Sequence, residues 1–171
     1  DEDWADDFLR EMKRRGVPLD FFSWHIYTTD PREVSAKAER LRTLLDRRGY
    51  AQAQSILNEW NYIRGWTDEY VYSIECIGNH KGAAFVMACL SEGQREPIDL
   101  MMYYDTRPSC FCGPFDYYTY RPRKPYYPLY WYGMFYDLAS EVRALNQADG
   151  IYTLCGVDEA GRVTAVVTYY T

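Results

Sequence analysis

The chain has 171 residues, enough for one compact domain with a sizeable core but short of the about 250 residues of a closed α/β barrel. Its composition, 47% hydrophobic and 26% charged with a mean hydropathy of −0.48, excludes a disordered, fibrous or membrane-embedded chain. Nineteen basic residues against 25 acidic ones leave a net charge of −6, which disfavours a general electrostatic grip on nucleic acid or on an anionic membrane.

Along the chain, Trp4, Phe8, Leu9 and Met12 recur at helical spacing with charges between them, and Gly16-Val17-Pro18 ends that helix. Residues 19–27 are rich in aromatics and bounded by Pro18 and Pro31, so they predict a strand buried along nearly its whole length. Asp30 caps the next helix, with Pro31 in its first position and Glu33 three residues after the cap. Val34, Ala38, Leu41, Leu44 and Leu45 form the buried stripe of that helix and Gly49 closes it. A strand over 53–60, a helix over about 68–90 and a strand over 98–104 continue the alternation. A loop rich in Cys, Gly and Tyr then runs over 106–128, and 129–145 predicts another helix. Past Asp149-Gly150 the pattern changes class: 151–157, a turn at 158–161 and 162–170 read as an antiparallel hairpin. We therefore divide the chain into an α/β part over 1–147 and a β part over 148–171.

Apolar strands separated by helices belong to a parallel sheet. Three of them make either a small open sheet or consecutive β/α units of a larger closed barrel. No G-x-G-x-x-G or Walker-type phosphate loop is present, so a nucleotide-binding fold has no support. Five Cys at positions 76, 89, 110, 112 and 155 do not form a disulfide framework and lean towards a reducing compartment. Cys110 and Cys112 lack further ligands nearby, so no metal and no other cofactor is expected. The opening Asp-Glu-Asp-Trp has no secretory character. A start this abrupt fits a piece of a longer protein, whose leader, if it has one, lies elsewhere, and an exported protein stays open.

In parallel α/β folds the chemistry gathers at the carboxyl ends of the strands. Those ends read Ser23-Trp24-His25-Ile26-Tyr27, Asn58-Glu59-Trp60-Asn61-Tyr62 and Tyr103-Tyr104-Asp105. Aromatic residues make up 18% of the chain, 18 Tyr and 5 Trp among them, and such rings suit either core packing or a site for an amphipathic ligand such as a sugar. Glu59 stands directly after the apolar Ile56-Leu57 run. A carboxylate at the edge of a buried strand has either a structural partner, Arg64 being the nearby one, or a chemical task. For His25 alone, a satisfied core histidine is the plainer reading. Asp105 is equally suited to binding substrate and to capping a loop.

His-x-Tyr on one strand followed by Asn-Glu-Trp-Asn on the next resembles the retaining glycosidases of the large (β/α)8 superfamily, most closely glycoside hydrolase family 39, the β-xylosidase and α-L-iduronidase group. Gly82-Ala83-Ala84-Phe85, the strand over 98–104 and Lys124-Pro125-Tyr126-Tyr127 follow in that family's order. The resemblance implies the C-terminal portion of a TIM barrel, about strands six to eight, followed by the beginning of an antiparallel β domain. It also implies that Glu59 is the nucleophile. His25, Tyr27, Asn58, Trp60, Tyr103 and Asp105 would then be substrate-binding residues, with Tyr117 a further wall. The substrate would be a glycoside or oligosaccharide, of pentose or uronic-acid type. The family's acid/base Glu lies in an Asn-Glu-Pro motif that this chain lacks. Alone, the chain should therefore be inactive or nearly so, and should associate with the missing barrel half or with itself. The alternative is a non-catalytic carbohydrate-binding or scaffold domain.

Overall fold

The computed structural model describes residues 2–145 and 148–171. Helix α1 (Glu2–Arg14) leads into β1 (Phe21–Thr28), α2 (Arg32–Arg47) and β2 (Gln54–Tyr62); α3 (Tyr70–Gly78) and α4 (His80–Gly93) precede β3 (Leu100–Tyr103). The three strands form one parallel sheet in the order β1-β2-β3. Consecutive right-handed crossovers place their helices on a single face of such a sheet. Trp24, Ile26, Leu57 and Trp60 are buried on that face, with Val34, Leu41 and Leu45 of α2 and Phe85, Val86 and Leu90 of α4.

The other face is open, which corrects the expectation of a strand buried throughout. In β1 the exposed Phe21, Ser23 and His25 alternate with the buried Trp24, Ile26 and Thr28. Across the sheet Phe21, Leu100 and Met102 are about half exposed around Ile56. A parallel strand reads as continuously apolar when both its faces are to be covered, and within this chain only one is.

Two predicted helices are broken. The stretch over 68–90 divides at Asn79, whose extended backbone ends α3 and whose Oδ1 accepts the Lys81 N–H at 2.8 Å to start α4. The two helices meet closely at Gly82, where a Cβ would lie 2.5 Å from the carbonyl oxygens of Cys76 and Ile77. The segment over 129–145 starts earlier, as α5 (Tyr126–Met134) behind Pro125. It gives way to a 3-10 turn over Phe135–Asp137 and then to β4 (Ser140–Glu141). Antiparallel pairing with β5 claims the backbone of residues 140–141 before a helix can extend through it. At the second helix, Asp30 Oδ1 accepts the Arg32 N–H at 3.0 Å and Pro31 already has helical backbone angles, so Asp30 caps the helix with Pro31 in its first position, as expected. Trp4, placed in the apolar stripe of α1, lies 63% exposed with its ring stacked on Phe8 at 5.2 Å.

The second sheet, β4-β5-β6, is antiparallel, with β5 (Ile151–Val157) and β6 (Val163–Tyr169) forming the expected hairpin. Asp158 Oδ1 accepts the N–H groups of Ala160 and Arg162 in its turn, and Gly161 takes a φ of 81°. Because β4 lies before residue 148, the sheet draws on both sides of the proposed division. Residues 146 and 147, next to that division, lie outside the described residues. Tyr170 packs its ring on Phe85 at 5.7 Å and donates its hydroxyl to the Thr29 carbonyl at 2.7 Å, so the β part rests on the α/β part. Among the described residues, no helix is long and apolar enough to cross a membrane.

Candidate active site

A single irregularity builds the site. Trp24 pairs with Leu57, but the next residue, His25, pairs with Glu59, so Asn58 is an extra residue in β2. Side chains alternate faces along a strand, and a bulge shifts that alternation by one. Leu57 and Trp60, three residues apart, consequently both point into the helix-covered core at 0% and 1% exposure. Glu59 is turned instead to the open face, beside His25 and Tyr27. The same shift appears towards β3, where Leu57 pairs with Met101 and Trp60 with Tyr103.

Among the described residues no arginine holds Glu59. Arg64 pairs with Glu69 at 3.5 Å, which removes the salt-bridge partner considered from sequence. The Tyr27 hydroxyl donates a short hydrogen bond to Glu59 Oε1. His25 Nδ1 stands 3.8 Å from the same oxygen, beyond hydrogen-bond reach. Burial, followed by the hydrogen bond and charge of Glu59, pushes the Tyr27 hydroxyl well above its ordinary pKa. The phenol therefore stays protonated and donating at all ordinary pH. The Glu59 side chain keeps 26% of its surface exposed, so its carboxylate is reachable from the open face.

The other sequence candidates divide. Asn58 is part-buried, and its Oδ1 has no hydrogen-bond partner. Trp60 lies in the core beneath the site, edge-on to Tyr103 at 5.2 Å, and its Nε1 is likewise unpartnered. Tyr103 points the same way, and its hydroxyl donates to the Cys112 carbonyl at 3.5 Å; burial raises its pKa. It is Tyr104, 39% exposed, that lies on the open side. Asp105 caps its own loop: it accepts the Arg107 N–H at 3.0 Å and ion-pairs with the Arg107 guanidinium at 2.6 Å. Burial pushes its carboxyl up, but hydrogen bonds from Arg107 and Cys110 outweigh this and hold it below the usual carboxylate range. Tyr117 is 46% exposed, its ring edge-on to Tyr118 at 5.1 Å.

Two neighbours had no role in the sequence reading. Trp66, 62% exposed, meets the Tyr27 ring edge-on at 4.9 Å and stacks over Tyr70 at 6.2 Å. An aromatic in a loop belongs to no periodic pattern, and only its distance from Glu59 in sequence hinted at it. Asn61 donates its Nδ2 to the Tyr104 carbonyl at 2.5 Å and to the Cys112 carbonyl at 3.2 Å, tying β2 to the loop after β3. The Tyr104–Asp105 peptide bond in that loop is cis.

Three solved structures are similar to this chain in fold. A glucosidase from Croceicoccus marinus superposes over 96% of the chain with a TM-score of 0.80 at 20% identity. The chain has part of a glycoside hydrolase fold. A GH39 β-xylosidase from Caulobacter crescentus matches 90% of it with a TM-score of 0.62 at 15% identity, and an arabinofuranosidase 92% with a TM-score of 0.52 at 16% identity. The chain spans 36% to 40% of the length of these glycoside hydrolases. Compared with family profiles the chain matches none, and compared with curated protein sequences it likewise finds no match.

Proposed function

We propose that this chain is the C-terminal barrel portion, about strands six to eight, of a retaining glycoside hydrolase of xylosidase or iduronidase type, with Glu59 as its nucleophile. The observation that carries the reading is the Asn58 bulge, which turns Glu59 out of the core at the carboxyl end of β2 and under the Tyr27 hydroxyl. In such a reaction the carboxylate attacks the anomeric carbon while a second carboxyl group, about 5–5.5 Å away, protonates the leaving oxygen; water then releases the sugar with the second group acting as base. Asp105, the other acid at the strand ends, is committed to Arg107, so the acid/base comes from outside these residues. The barrel strands that carry it cover Phe21, Ile56, Leu100 and Met102. His25, Tyr27, Asn58 and Asp105 belong to the sugar-binding surroundings of the reading, with Trp60 and Tyr103 as its underside.

The test uses the protein as purified from its source, with all the polypeptide that accompanies the chain. A 2-deoxy-2-fluoro aryl glycoside forms a glycosyl-enzyme that turns over slowly, and the adduct is expected on the peptide holding Glu59. Glu59→Gln is expected to lower kcat by about 10³-fold or more while leaving thermal unfolding unchanged. An adduct on another residue, or full turnover in the variant, overturns the assignment. Sugar binding with no turnover in the complete protein would favour a non-catalytic carbohydrate-binding domain.

A further inference from the structure

The Cys-Phe-Cys segment has no part in the reading above. Cys110 and Cys112 lie in the loop after β3, both buried, with Phe111 between them turned outward at 52% exposure. Their Sγ atoms are 3.1 Å apart. Among the described residues this is the one contact between two thiols, and Cys76, Cys89 and Cys155 are free elsewhere in the fold. A metal would need further ligands, and among the described residues no three His, Cys, Asp or Glu side chains gather to hold one. Two thiols in contact with no ion to share have one common chemistry left, which is oxidation to each other.

We propose that Cys110 and Cys112 are a redox pair that closes to a disulfide on meeting a low-molecular-weight disulfide. Burial, followed by the neighbouring Cys110, pushes the Cys112 thiol up to about 12, so it stays protonated and Cys110 acts first. The Cys110 thiolate attacks one sulfur of the small disulfide, forming a mixed disulfide and expelling one small thiolate. Cys112 then gives up its proton and attacks Cys110 Sγ, expelling the second. Two electrons pass from the pair to the small disulfide, and the two thiol protons end on the two small thiols released. The Cys112 carbonyl accepts Asn61 Nδ2, and the Phe111 carbonyl accepts Arg123 at 3.2 Å. Closure therefore fixes the loop that Asn61 fastens to β2, next to the strand that carries Tyr27.

Incubation of the native protein, as purified from its source, with oxidised glutathione, then acid quenching, alkylation and tryptic mapping test this. Peptide 96–123 contains Cys110 and Cys112 and no other cysteine. It is expected to lose two hydrogens and to take no alkyl groups, so that two of the five thiols disappear and return with dithiothreitol. Cys112→Ser is expected to leave a lasting glutathione adduct on Cys110, and Cys155→Ser to change nothing. Two alkylated cysteines in the wild-type peptide, a lasting glutathione adduct there, or a bond to Cys155 would overturn the proposal.

Discussion

The hydrogen bond from Tyr27 to Glu59 joins two strands through one donor and one acceptor. A hydrogen bond to a charged group is worth about 1.5–3 kcal/mol, so Tyr27→Phe should slow turnover by about tenfold to a hundredfold, measured with an aryl glycoside in the complete protein. An unchanged rate would assign the contact to packing alone. Trp66 makes a separable contribution. Its indole lies beside Tyr27 and largely in solvent, so Trp66→Ala should raise KM several-fold with kcat nearly kept. A fall in kcat at constant KM would show that the ring holds Tyr27 rather than substrate. At this scale the sequence was informative about chemical type and less so about direction. His25, Tyr27 and Glu59 were legible because strand ends in parallel sheets expose their polar residues, but nothing in Asn-Glu-Trp says which of the three faces the core. Trp60 lies beneath the site because the bulge puts it there.

The bulge also dominates at the scale of the element. Deleting Asn58 should restore a regular ladder with every other pairing kept, Leu57 and Trp60 in the core and Glu59 beside His25. The deletion variant should therefore keep most of its stability in urea unfolding. A large loss would show that the bulge itself is needed to hold the strand. Truncating Leu57, fully buried on the helix side, should cost about 2–5 kcal/mol in urea unfolding, whereas truncating the exposed Leu100 should cost far less. Strands, loops and the hairpin were readable because Pro, Gly and Asp-Gly punctuate them. The bulge was not, since an extra residue inside an apolar run leaves the composition of that run unchanged. The break at Asn79 was masked in the same way by apolar residues on both sides, although Gly78-Asn79 supplies the helix stop and the cap.

In the whole molecule, one face of the parallel sheet carries the helices and the other presents Phe21, Leu100 and Met102. Separated from its barrel, the chain should associate in a concentration-dependent way, and Phe21→Ser with Leu100→Asn should return it towards a monomer in sedimentation velocity. A wild-type monomer at high concentration would show that this face needs no cover. Helix α1 is fastened from outside by charge. Hydrogen bonds from Arg48 and Arg47 lower the Asp6 pKa from 3.8 to about 2. A carboxyl depressed on folding contributes stability above its unfolded pKa and loses it as pH falls through the folded one. Acid unfolding between about pH 4 and pH 2 should therefore be steeper in the wild type than in Asp6→Asn, and equal slopes would show that this pair does not couple to folding. Finally, the Tyr170 hydroxyl reaches the Thr29 carbonyl across a sequence separation of 141 residues. Closing so long a segment carries a large entropic cost that local β-α-β contacts do not meet, so the early units can organise while synthesis is still under way and the hairpin seats last. Until residue 170 clears the ribosome, Phe85 has the rings of Trp60 and Tyr62 against it but not that of Tyr170, and the nascent chain offers chaperones the patch that Tyr170 covers.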